Sequence, residues 1–440
     1  MTSAADGWSV ESETRRDGIV APNVLIVAAR FPSRIQPWLL NQIEQICLRG
    51  GKVRIVAEGP LDGPYQPKVD DLGLLEATEY YPATTAGVVA GLKRLAFERG
   101  ERGARARHGL RRLGRSPWCP GHARAWAKAA ARAPVYATPG IELVHSHSLS
   151  QAYEYRHVAL LNDIPLVHTF HGLTPRGVRG LSEAMRTELF SITDVALVNT
   201  RFAQGQLEAL GCPGEKIEIL PQGIRVSDFS FATRQPSSSG PVRILTVGRL
   251  QPDKGIEYAI RAIAVLRAQG RDVEYRVIGE GPEEGRLRAV ARELRTEQFV
   301  TLTGGVDDAT LRDAYRDADV FILPSVASDL TDHTETQGVV IQEAQASGAI
   351  VAASRVGGIP ECVEDGVSAF LFEERSPVAI AMTVASIIDR PERWEEWQSR
   401  GRDWVERNFD VDVLGERLCR VYARSLANRA GTGGKHSPGA

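Results

Sequence analysis

Residues 335–348 read ETQGVVIQEAQASG and set two glutamates eight positions apart, Glu335 just ahead of an apolar helix start and Glu343 inside it among Val340, Ile341 and Ala344. With a helical rise of about 1.5 Å per residue, the two carboxylates stand on the order of 10 to 12 Å apart, the reach of a ribose, a diphosphate and the near edge of a sugar. Between them the amides of Thr336, Gln337, Gly338 and Val339 head the helix, where unpaired N–H groups and the helix dipole attract an anion. Carboxylates on either side of a bound diphosphate would accept hydrogen bonds from hydroxyls. Taken alone, the spacing is weak and is better explained by a solvated Glu343 and a helix-dipole partner in Glu335.

A second cluster comes from VGRLQPDKG (247–255), which supplies Arg249 and Lys254 just ahead of the next helix. Two cations there make sense if a phosphate offsets their charge, although a solvated basic turn has the same composition. Gly279, in IGEGP, ends the following strand where a nucleotide backbone could approach closely, or simply makes a turn.

The elements that must position these residues alternate. VLIVAA (24–29), an amphipathic run ending at a Gly stop, and VRIVA (53–57) make a βαβ opening. LVHSHS, PLVHTFHG, VALVN and IEILPQG follow as continuous apolar runs, as strands buried on both faces should. FSFATRQPSSSGP (229–241) breaks every period and reads as a linker. After it the strand and helix alternation restarts. Two doubly wound α/β units in tandem leave a cleft at the carboxyl ends of their sheets, where ligands bind.

Composition narrows the classes. At 440 residues, 43% hydrophobic and 25% charged, the chain is long enough for two globular domains. Its five cysteines are scattered with no CxxC pair, which points to a reducing, cytoplasmic setting and against a structural zinc. The first twenty residues are polar and acidic, unlike a signal peptide, and are expected to be a disordered tail; no apolar run reaches the roughly 20 residues of a membrane span. Residues 1–226 carry 27 basic and 22 acidic side chains and the remainder 26 and 33, so the halves differ in sign and are expected to meet different partners. Much of the positive charge sits in 91–132, with 12 basic and 2 acidic residues interspersed with Leu, Trp and Phe. That insertion points to an anionic membrane surface or an anionic glycan, or else to a solvated helical hairpin. No nucleic-acid module accompanies it. No GxGxxG follows VLIVAA or RILTVG, which speaks against a NAD dehydrogenase.

In order and spacing, VGRLxxxKG, IGEGP, LPS, the two-glutamate segment and VGGIPECVEDGVSAFL resemble the donor domain of the retaining glycosyltransferase family four, which has the two-Rossmann GT-B fold. FPSRIQPWLLNQIEQI, HSHS and HTFHG look like the branch that includes colanic-acid-type and other exopolysaccharide transferases, and the resemblance covers about residues 23–425. It implies that Arg249 and Lys254 hold a diphosphate, together with Gly279 and the Gln337, Gly338 and Val339 stretch. It further implies Glu343 on ribose hydroxyls, Glu335 on the donor sugar and His171 near the reaction centre. His147 and Gln36 become acceptor-side candidates. The implied enzyme moves a sugar from a nucleoside-diphosphate sugar, with UDP favoured and GDP as the other candidate, to a hydroxyl acceptor on a glycan, a lipid-linked sugar or a small molecule. It would retain anomeric configuration and use no metal and no cofactor. A nucleotide-sugar epimerase or phosphorylase, and a non-catalytic sugar-nucleotide binder, remain the alternatives.

The expected organisation is a tail over 1–20, an acceptor-binding Rossmann-like domain over 21–228, a linker over 229–241 and a donor-binding domain over 242–395. Helices over 396–428 should pack back on the first domain, with a tail over 429–440. Two departures from the family pattern stand out: Thr336 where Gly often follows the first glutamate, expected to reshape the sugar pocket, and Gln222-Gly223 in place of Asn-Gly. The acidic stretch SVASDLTDHT ahead of Glu335 reads as a flap or a solvated loop.

Overall fold

The computed structural model describes residues 19–33, 37–61, 65–81, 84–97, 99–115, 123–173, 181–236, 240–328 and 333–432. Its strands are β1 Val24–Ala28, β2 Val53–Ala57, β3 Thr78–Tyr80, β4 Leu143–Ser146, β5 Leu166–Phe170, β6 Val195–Val198 and β7 Ile217–Ile219, then β8 Val242–Val247, β9 Val273–Ile278, β10 Val300–Leu302, β11 Val320–Leu323, β12 Ile350–Ser354 and β13 Ala369–Phe372. The first sheet has the order β3-β2-β1-β4-β5-β6-β7 and the second β10-β9-β8-β11-β12-β13, with all neighbours parallel. In each, the chain begins mid-sheet, works outward and crosses back, so the winding reverses between β1 and β4 and between β8 and β11. A crevice opens at the carboxyl ends of such a reversal.

Each sheet is covered on both faces. Leu25 and Val27 face the helices Leu149–Asn162 and Glu183–Ile192, whereas Val24 and Ile26 face Pro37–Leu48. Ile244 packs under Ile256–Ala268 and Pro377–Ile388, and Leu245 under Val339–Ala346. Two-sided burial is why the strands read as unbroken apolar runs.

The return to the first unit begins later than the sequence implies. The helix Trp394–Asn408, through which the expected boundary at 395 would cut, buries Trp394, Trp397 and Val405 against the second unit. From Val411 the last helix packs on the first sheet through Leu414, Leu418 and Tyr422, and it runs to Thr432, into the stretch read as a tail from 429. The two chain crossings are tied where Ile224 N–H donates to Phe409 O and Val411 N–H to Ile224 O. The described part of the linker is anchored as well, since Arg234 donates to Ala318 O at 2.7 Å and its own N–H to Gln398 at 2.7 Å.

The basic insertion forms the helices Thr85–Phe97, Gly100–Arg115 and Ala123–Ala131. Ala106 and Leu113 of the middle helix are fully buried, and Leu113 joins the core around Tyr136. No helix among the described residues is long and apolar enough to cross a membrane.

Candidate active site

The loops at the carboxyl ends of β8 and β11 meet first. After β8 the chain makes a 3₁₀ turn, Pro252–Lys254, and enters the helix Ile256–Ala268 through Gly255 at φ 60°. A side chain on Gly255 would bring its Cβ within 2.0 Å of Pro324 O, so glycine is what lets this turn lie against the β11 loop. That contact brings Lys254 to Glu335, and the two form an ion pair, their side chains 13% and 17% exposed. Burial alone would raise the Glu335 carboxyl, but the Lys254 ammonium, with smaller contributions from His333 and Arg249, holds it below the usual carboxylate range. Arg249 is exposed, its carbonyl accepts from Gln251 N–H at 2.9 Å, and its guanidinium makes no hydrogen bond or ion pair among the described residues. It is thus a cation near Glu335 with its donors free.

Behind this pair the helix Val339–Ala346 starts at Gly338, in the left-handed region at φ 78°, and the amides of Val339 and Val340 lead it. One turn in, Glu343 accepts a hydrogen bond from Tyr315 Oη at 2.6 Å. Burial pushes its carboxyl up to about 7, the Tyr315 hydrogen bond acting against the rise and Asp308 adding to it. An ionisable group in an apolar helix is therefore held through one of its oxygens by the Tyr315 hydroxyl.

Across the cleft, at the carboxyl ends of β4 and β5, three imidazoles gather. His171 lies 4.3 Å from the Trp38 ring and stacks on His147 at 5.9 Å and 14°. His147 also packs 4.4 Å from His145. His145 is satisfied on both nitrogens, by Tyr422 at 2.6 Å and Thr169 at 2.8 Å. His147 has no hydrogen-bond partner on either nitrogen among the described residues, and His171 has none on Nε2. Burial pushes His171 down to about 4 and His147 well below its ordinary value, so both rings are neutral.

Residues 48–228 match the family described as Glycosyltransferase Family 4, and residues 230–404 that described as Glycosyl transferases group 1. The D-inositol 3-phosphate glycosyltransferase of Acidothermus cellulolyticus is 30% identical over 342 residues, which take in 70% of this chain and 73% of that protein. The chain belongs to glycosyltransferase family 4. The colanic acid biosynthesis glycosyltransferase WcaL of Salmonella typhimurium is 33% identical over 257 residues, 57% of this chain and 62% of WcaL, so the chain spans about three-fifths of that relative. The Anabaena protein HepE in complex with UDP superposes with a TM-score of 0.67 at 16% identity, over 92% of this chain and all of HepE, and identifies the fold as GT-B.

In this glycosyltransferase the sequence-derived site residues fall into distinct environments. Lys254, Glu335 and Arg249 come together on loops, and Glu343 follows in the helix Val339–Ala346. Gly279, at φ 142°, is required by packing, since a Cβ there would lie 1.9 Å from Gly248 O. Gln337 has its side chain occupied: it accepts from Gln222 N–H and donates to Gln222 O, both at 2.7 Å, and leaves a donor only its backbone amide. Gln36 lies outside the described residues, as does the centre of the SVASDLTDHT stretch. Thr336, expected to reshape the sugar pocket, instead turns into the seam between the units. Its Oγ1 accepts from Asn199 at 2.9 Å and donates to His171 O at 3.3 Å, and its carbonyl accepts from Thr200 at 2.9 Å. Glu361 finishes the seam by capping the helix Arg201–Ala209 through the amides of Arg201 and Phe202.

Sequence reasoning assigned no role to Trp38, Tyr315 or Gln222. Trp38 stands within the quoted FPSRIQPWLL run, and a Tyr on an amphipathic helix carries a hydroxyl that needs a partner when buried. Those were the available signals. Among the described residues no group of three or more His, Cys, Asp or Glu side chains is placed to hold a metal ion.

Proposed function

We propose that this family 4 enzyme transfers a sugar from a nucleoside-diphosphate sugar, UDP before GDP, to a hydroxyl acceptor with retention of configuration and without a metal ion. The observation that carries the reading is the Lys254–Glu335 pair, with Arg249 beside it and the amides leading Val339–Ala346 behind it, facing neutral His171 across the cleft. In the donor complex the diphosphate takes the place of Glu335 as the partner of Lys254 and leaves Glu335 to accept from the sugar hydroxyls. Glu343 takes the ribose. The anomeric carbon's bond to the diphosphate oxygen breaks as its bond to the acceptor oxygen forms on the same face, and the acceptor's proton passes to the departing diphosphate oxygen. Arg249, Lys254 and the helix amides stabilise the charge that develops there, as preorganised donors do. UDP in the fold relative HepE supports the choice of base, and likeness to WcaL supports an acceptor in polysaccharide synthesis, with a lipid-linked sugar or a small molecule as narrower cases.

A thermal-shift panel of UDP-, GDP- and ADP-sugars tests the donor: a ligand at 100 times its Kd adds about 2.7 kcal/mol to stability, and a UDP-sugar should give the largest shift. NMR of the product should show the donor's anomeric configuration, and turnover should survive EDTA. An inverted product, or activity lost on chelation and restored by Mg²⁺ or Mn²⁺, contradicts the mechanism.

The basic insertion supports docking on an anionic membrane at the face where the donor is supplied. Because Ala106 and Leu113 are buried, the contact falls to Thr85–Phe97, where Phe97 is 80% and Val89 45% exposed beside Lys93. Vesicles rich in phosphatidylserine should sediment the protein at low salt and release it at high salt, and Phe97→Glu should weaken the capture several-fold. Equal sedimentation with neutral vesicles would remove this part of the reading.

A further inference from the structure

The ring of His171 belongs to the first unit, yet its orientation is tied to the second through one residue. Gln222 lies just past β7. Its peptide N–H and C=O are both gripped by the carboxamide of Gln337, at 2.7 Å each. Gln337 is fully buried, two residues after Glu335 and directly before the helix that carries Glu343. Its carbonyl accepts from Cys362 Sγ at 2.8 Å, which fixes its own backbone. The Gln222 side chain then reaches back, and its Nε2 meets His171 Nδ1 at 2.9 Å.

That contact couples the tautomer of His171 to the orientation of the Gln222 carboxamide. With the carboxamide nitrogen of Gln222 placed against it, Nδ1 accepts and the ring proton sits on Nε2, the nitrogen with no partner among the described residues; a reversed carboxamide would present its oxygen and call for the other tautomer. Trp38 and His147 flank the ring and hold its plane, but neither contacts Nδ1 through a hydrogen bond. The proton's place is therefore set by Gln222.

We propose that Gln222 is a positioning residue that keeps His171 in the Nε2–H form, a donor toward the cleft, and that its clamp to Gln337 makes this arrangement depend on the donor loop being seated against the first unit. This rests on reading His171 as the group that faces the donor sugar. A donor at Nε2 suits a sugar oxygen, whereas the opposite tautomer would present a lone pair to it. The Glu335–Gln337 segment of one unit thus fixes a side chain of the other.

Gln222→Glu is the decisive variant because it keeps shape and replaces the donor with an acceptor. Long-range ¹⁵N–¹H spectra of protein labelled with ¹⁵N-histidine report which ring nitrogen carries the proton, and His171→Gln assigns the signal by its loss. The wild type should show the Nε2–H form and Gln222→Glu the Nδ1–H form. Turnover of Gln222→Glu should fall by about 10², with the affinity for free UDP unchanged within about threefold, the pattern of a contact made to the reacting sugar. Gln222→Met, which neither donates nor accepts strongly, should give mixed tautomers and an intermediate kcat. Persistence of the Nε2–H form in both variants, or a kcat at the wild-type level in Gln222→Glu, overturns the proposal. Near wild-type turnover in His171→Gln would instead overturn the reading of His171, so the two failures are separable.

Discussion

Lys254→Ala and Arg249→Ala should each lower turnover by about 10² to 10³, because in the proposed mechanism each removes a preorganised positive group from the oxygen on which charge develops as the diphosphate leaves. Their effects on the ligand-free protein should differ. Arg249 is exposed and its guanidinium makes only a minor contribution to the lowering of the Glu335 carboxyl, so its loss should change the melting temperature little. Lys254 is the main force that lowers the Glu335 carboxyl, and without it burial, which acts the other way, dominates. The pH dependence should therefore change sign. In the wild type the depressed Glu335 contributes stability that is present above the ordinary carboxylate value of about 4.3 and is lost as pH falls through its folded value. In Lys254→Ala the raised carboxyl makes stability fall as pH rises from about 4.3 through its folded value, a window above the wild-type one. Melting curves from about pH 3 to 8 and steady-state kinetics on both variants test this, and near wild-type turnover in both would show that the phosphate is held elsewhere.

The sheets were the most legible part of the molecule. Unbroken apolar runs announced β1, β2, β4, β5 and β6 because both faces are buried, while the edge strand β3 is three partly buried residues and carries no such signal. The site was legible as residue types on loops at strand ends. Its pairings were not, because Lys254 and Glu335 are 81 positions apart and meet only through the close approach of Gly255 to Pro324. The two departures from the family pattern show the same limit. Thr336 and Gln222 stood out as unusual, but their roles lie in a seam between two units, and only the fold sets Asn199, Thr200 and Gln337 opposite them. Charge reading had its own limit. The 91–132 segment is basic, yet its middle helix packs into the core, since charge count says nothing about which face small residues such as Ala106 present.

The two glutamates should separate sharply under conservative substitution. Glu343→Gln keeps an oxygen to accept from Tyr315 but removes the carboxylate that a ribose diol requires, so affinity for donor and for free UDP should fall together, by about tenfold for each 1.4 kcal/mol lost. It should also stabilise the ligand-free protein under alkaline conditions. Burial raises the folded carboxyl to about 7 from an ordinary value near 4.3, so the wild type loses stability as pH rises between the two, and a neutral amide does not. A variant that binds nucleotide less well yet melts higher above pH 7 is the expected signature. Glu335→Gln should do the reverse. It strands the Lys254 ammonium in a partly buried site and lowers the melting temperature, but it frees that ammonium for the diphosphate, so UDP binds as tightly as before or tighter. Turnover should still fall, because the lost contact is with the sugar, the part of the donor that changes in the transition state. Calorimetry with UDP beside kinetics and melting curves decides between these roles. Equal losses of UDP affinity in the two variants contradict the division, and an unchanged affinity in Glu343→Gln removes that residue from the donor site.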